Sequence, residues 1–181
     1  MATKCKFKNG MQIFSSSPQM MSAGGNITSN QRVHTDAAET AVLSETIYAN
    51  TLDSTSMCFR VFIAGEISSD GARDITLTLR YGTTDILALV TTALTNDDDD
   101  PFKVEWTGHV LTAGASGKIV AHAYGTFCQS TATLKFVTDT ANTGASVDLT
   151  ADGSLNVTAH WDGAHADADI IVTHGWIEFY N

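Results

Sequence analysis

Bases are scarce in this chain of 181 residues: ten lysines and arginines stand against twenty aspartates and glutamates, a formal charge of −10. Such a surface repels a phosphate backbone, so nucleic acid is not expected among its partners. Proline occurs only at Pro18 and Pro101, and few positions are therefore barred from a hydrogen-bonded ladder. Cysteine is confined to Cys5, Cys58 and Cys128. Three widely spaced thiols form neither a CxxC zinc pattern nor an even disulfide framework, and they are expected as buried free thiols. No apolar run approaches the length of a membrane span, and "MATKCKFKNGMQIF" at the start lacks the apolar centre of a secretory signal. No membrane partner is expected, and synthesis in a cytoplasm is; the glycosylation patterns at Asn26 and Asn156 then carry no weight.

Catalytic signatures are missing too. There is no GxSxG, and Cys128 in "GTFCQS" has no family signature beside it. "TAGASGK" lacks the Walker spacing and reads as a turn. His109, His122, His160 and His174 fall on different predicted strands and form no HxH or HExxH pair, so they are expected to satisfy local hydrogen bonds. The expectation is a protein that is not an enzyme, with no catalytic, cofactor-binding or metal-ligating residues and no cofactor.

What is present is threonine, alanine and alternation. "DITLTLRYG" (74–82) alternates Ile75, Leu77, Leu79 and Tyr81 with Thr76, Thr78 and Arg80, as a half-buried strand does. "SMCFRVFIAGEIS" (56–68) is apolar on both faces, which predicts a strand covered on both sides. Further strand signals lie in "AVLSETIYANTL", "TDILALVTTAL", "PFKVEWTGHVL", "KIVAHAYGTFC", "TATLKFVTD", "GSLNVTAHW" and "DADIIVTHGWIEFY". "SSDGAR", "TAGASG" and "TANTGAS" have the composition of turns. Eight or nine strands with no crossover helix predict an all-β sandwich or barrel of antiparallel strands. Asp36 and Glu39 in "DAAETAVL" have capping-box spacing, but the run is too short to hold more than a minor helix. Trp106, Trp161 and Trp176 sit within strand patterns that suit a core.

Residues 1–35 are polar, glycine-containing and aperiodic, and read as an extended N-terminal arm before a single domain, residues 36–181. Lys4, Lys6 and Lys8 lie in the arm, which leaves seven bases against twenty acids, a charge of −13, over residues 11–181. Met20 and Met21 are available to pack on the body or on a partner.

Two acidic clusters invite a metal reading. "TNDDDDPF" places Asp97, Asp98, Asp99 and Asp100 in a row, and "WDGAHADADI" carries Asp162, His165, Asp167 and Asp169. Adjacent acids in an extended run point alternately to opposite sides, and EF-hand spacing is absent. A hydrated loop is the expectation for the first cluster. In a jelly-roll strand order both loops fall at one end of the sandwich, where at most weak, non-catalytic calcium binding is expected.

The stretch "ETAVLSETIYANTLDSTSMCFRVFIAGEIS" resembles the opening of a group of tailed-bacteriophage virion structural proteins, with E-T-x-x-x-S-x-T-I running into "ANTL". "TLTLRYGTT" and the close, "VDLTADGSLNVTAHWDGAHADADIIVTHGWIEFYN", are similar to the same group; Tyr48 departs from it at a position where proline is expected. The resemblance implies a jelly-roll-like two-sheet antiparallel β-sandwich that self-associates, commonly as a homotrimer, on the outside of a virion assembled in the host cytoplasm. The resemblance does not fix the position on the particle; the leading expectation is a capsid decoration (cement) protein that binds the major capsid protein of the shell, with residues 1–35 helping to clasp it. The alternative it leaves open is a tail-fibre or receptor-binding head that recognises host-surface glycan.

Overall fold

The computed structural model describes residues 12–14, 31–34, 37–69, 71–95, 99–130, 133–164 and 168–180. Eleven strands are present among them: β1 (Gln12–Phe14), β2 (Gln31–His34), β3 (Thr40–Ile47), β4 (Cys58–Ser68), β5 (Arg73–Tyr81), β6 (Thr84–Leu94), β7 (Asp100–Thr112), β8 (Gly117–Ser130), β9 (Thr133–Val147), β10 (Gly153–Trp161) and β11 (Asp169–Tyr180). Two antiparallel sheets pack face to face. The larger runs β1-β11-β4-β7-β8-β9, with β2 also on β11, and the smaller runs β3-β10-β5-β6.

The order is that of a folded ribbon. The pairs β2·β11, β3·β10, β4·β7 and β5·β6 are nested in sequence and alternate between the larger and the smaller sheet. Nested pairs wound alternately into two sheets make a jelly roll. The strands β8 and β9 are inserted between the seventh and tenth strands of that ribbon and extend the larger sheet by two.

Alternation builds the core. In β5, Ile75, Leu77 and Leu79 are fully buried while Thr76 and Arg80 face outward. Leu155, Val157, Ala159 and Trp161 of β10 lie beside them by register, and Val61, Ile63, Val104 and Trp106 face them from the larger sheet. Size is matched across strands: Trp106 lies between Val61 of β4 and Ala123 of β8. A Cβ on Gly125 would come within 2.8 Å of Phe127 and 2.9 Å of Leu89.

Two segments depart from the sequence expectation. "TANTGAS" lies inside β9 instead of forming a turn, because β8 supplies a paired partner that overrides weak strand propensity. Gly144, at φ +78°, takes up the irregularity there. "TAVL" after Glu39 begins strand β3, with no helix among the described residues. Asp36, the cap residue of the alternative, lies outside them. In the segment read as an arm, β1 and β2 pair with the two halves of β11, and Val33 is buried in the core. Lys4, Lys6, Lys8, Met20 and Met21 lie outside the described residues.

Strand β3 is an edge of the smaller sheet, and Glu45 sits opposite Leu155 on its core-facing side. Burial pushes the Glu45 carboxyl above its ordinary value, partly opposed by a hydrogen bond from the Thr46 backbone. Ionising it therefore costs the folded chain more than the unfolded one, and this cost appears as pH rises from the ordinary carboxylate range through the raised folded value. Glu45→Gln is expected to stabilise the protein at pH 7 by on the order of 0.5 kcal/mol, a small gain because the group is half-exposed. Thermal melts should show the variant about 1 to 2 °C higher at neutral pH, with the difference vanishing below the ordinary carboxylate range.

Candidate interaction surface

The outer faces of the two sheets differ in kind. On the smaller sheet, Arg80 bonds both Glu39 and Asp85 at 2.5 Å, and Thr158 donates to Glu39 at 2.6 Å. Ser44 donates to Asn156 at 2.5 Å, and Asn156 donates to the Gly82 carbonyl at 3.2 Å. These side chains satisfy one another across four strands, and the face they form is finished for water.

The larger sheet carries aromatic rings on its outer face. Register places Trp176 of β11, Phe62 of β4, Glu105 of β7, Tyr124 of β8 and Thr138 of β9 opposite one another in a single row. The next row holds Ala64, Lys103, Thr126 and Phe136. Phe62 stacks on Trp176 with centroids 5.3 Å apart and planes at 16°. The Arg60 guanidinium lies 4.9 Å over the Trp176 ring and pairs with Glu105. At the far side Tyr124 stacks on Phe136 at 6.5 Å, and Thr126 donates to the Tyr124 hydroxyl at 3.0 Å. Phe136 is 62% exposed and Leu134 56%. Such rings lose most by remaining in water and gain most from a partner.

The strand covered on both sides that "SMCFRVFIAGEIS" predicts is β4: its inner face is buried, and its outer face is this half-exposed one with no described element over it. The same geometry corrects the cysteines. Cys58 is exposed and Cys128 half-exposed, because both fall on the outward positions of β4 and β8. Cys5 lies outside the described residues. Trp106 and Trp161 are in the core as expected, whereas Trp176 is on the open face.

The described flanks of the two acidic loops fall at one end of the sandwich. Asp100 pairs with Ile67 of β4 and Ile170, next to Asp169, pairs with the same Ile67 from the other side. Two strand spacings, roughly 10 Å, separate them. Asp169 is buried, and the backbone N–H of Asp162 donates to the Asp74 carbonyl at 2.9 Å. Among the described residues no three His, Cys, Asp or Glu side chains come together as a metal-binding group; Asp97, Asp98, His165 and Asp167 lie outside those residues. The four histidines sit on β7, β8, β10 and β11, with His122 bonded to Thr140 at 2.9 Å and His174 to Thr173 at 2.8 Å. No described helix is long and apolar enough to cross a membrane.

The open aromatic face was missed from sequence because alternation defines two faces of a strand without saying which is inner. In β9 the apolar Leu134 and Phe136 face out, and Lys135, opposite buried Phe127, lies on the other side. No known protein family, curated protein or solved structure matches the chain.

Proposed function

We propose that the chain is a non-enzymatic structural protein of a tailed-bacteriophage virion, a capsid decoration protein that binds the outer shell through protein–protein contacts and stabilises it. The observation that carries this reading is the contrast between the two outer faces: one closed by its own polar network, one an open band of aromatic rings. A jelly roll with one such face suits a part whose task is burying surface against a shell and against copies of itself. Its negative charge, left toward solvent, keeps decorated particles apart. The resemblance to tailed-phage virion proteins suggests a phage particle, and the major capsid protein is the partner that a decoration role requires.

Copy number tests it. Quantitative protein analysis of purified virions is expected to find on the order of hundreds of copies per particle, as shell symmetry multiplies each site. A few dozen or fewer would move the protein to the tail and make glycan recognition the better reading. Absence from the particle would end both.

A further inference from the structure

We propose that β9 is a self-pairing edge: two copies of this chain join antiparallel along it about a two-fold axis at Val137, setting Lys135 of each opposite Asp139 of the other. The inference concerns the chain's own assembly, stands whether or not the virion reading holds, and departs from the homotrimer that the resemblance implies.

Strand β9 is the last of the larger sheet, 15 residues long, with no proline and no described strand beyond it. An open edge of that length is a template for another strand. Among the described residues, three of the six exposed large hydrophobic side chains, Tyr124, Leu134 and Phe136, belong to β8 and β9. Strand β6 ends the smaller sheet on the same flank, packed against β9. The edge and the unburied apolar surface therefore coincide.

The charge pattern selects both the occupant and the register. Lys135 and Asp139 are the only charged residues of β9, each two residues from Val137. A lone lysine on an edge repels a second copy. With an aspartate four residues on, it becomes a register key, because only one antiparallel alignment sets each lysine opposite an aspartate. That alignment overlaps residues 133–141 of both copies and places Phe136 opposite the second copy's Thr138. The Asp139 carboxylate accepts the Thr140 backbone N–H at 2.6 Å, which marks the even-numbered residues as those whose backbone groups face the open side. Val137 and the charged pair then occupy the closely spaced, non-hydrogen-bonded positions, where facing side chains approach best. An antiparallel pair about a two-fold uses the same edge on both copies and closes at two.

Sedimentation equilibrium of the full chain at on the order of 100 μM is expected to give the mass of two chains. Lys135→Asp and Asp139→Lys each turn two attractive pairs into two repulsive ones, and each should weaken the dimer about thirtyfold. Mixed in equal amounts, the two variants should dimerise again, since every 135–139 contact between them is once more of opposite charge. Amide hydrogen exchange of the wild type supplies a readout free of substitutions: Phe136, Thr138 and Thr140 should gain protection as concentration rises. A monomeric wild type, a mass of three chains, single variants as tightly paired as the wild type, folded variants that stay monomeric on mixing, or amides indifferent to concentration would each overturn the proposal.

Discussion

Trp106→Ala is expected to lower the free energy of unfolding by about 3 to 5 kcal/mol, the usual cost of emptying a buried indole site. Trp106 is fully buried on the inner face of β7, between Val61 and Ala123 in register. Neither neighbour can fill the space: one is β-branched and held by its own strand, the other is a methyl group. The loss is a large share of the roughly 5 to 15 kcal/mol that holds an ordinary domain together. Trp106→Phe separates two causes. The indole Nε1–H has no hydrogen-bond partner among the described residues, and an unpartnered buried donor costs on the order of 1 to 3 kcal/mol. Phenylalanine keeps most of the apolar contact and removes that donor, so its net cost should stay below about 1.5 kcal/mol. Urea denaturation at one fixed protein concentration checks both, with midpoints compared at constant slope. A phenylalanine variant as damaged as the alanine one would show that the indole N–H is bonded after all.

That tryptophan also marks how far the sequence could be read. The alternation of "PFKVEWTGHVL" places Trp106 with Phe102 and Val104, and all three are in the core. Alternation is a local property, fixed by the pleat, so strands such as "DITLTLRYG" were legible within a residue of their observed bounds. That the strands flanking the two acidic loops end at the same side of the sandwich was legible too, since it follows from strand order alone. The open face was not. Whether Phe62 and Trp176 are inside or outside depends on what covers β4 and β11, which is a matter of tertiary layering. The second half of β9 was illegible for a related reason: "TATLKFVTD" reads as a strand, but the threonines, alanines and glycine of "TANTGAS" have no strong preference, and pairing with β8 decides their conformation. The self-complementary charges of that strand were visible in sequence, but they acquire meaning only once β9 is known to be an edge.

Gly65→Ala is the second change expected to damage the fold severely, although it adds a single methyl group. Gly65 lies in the middle of β4, opposite Val172, where the register of β11 shifts between Val172 and His174. The irregularity brings the β11 backbone over Gly65. A Cβ there would fall 1.8 Å from the Ile171 carbonyl oxygen and 3.0 Å from the Val172 Cα. Both are main-chain atoms, so no side-chain rotation relieves the overlap, and the two strands must move apart. Their separation would stretch the ladder between β4 and β11, which sits at the centre of the larger sheet and carries Val61, Ile63, Ile170 and Val172 into the core. Overpacking of this kind costs about 1 to 3 kcal/mol, and a backbone clash places Gly65→Ala at the upper end. Glu66→Ala, one residue on and exposed, should stay within about 0.5 kcal/mol of the wild type. Denaturation midpoints of the two variants make the comparison: equal midpoints would mean that β11 can shift at no cost, and that the close approach of the two backbones is not what requires glycine at position 65.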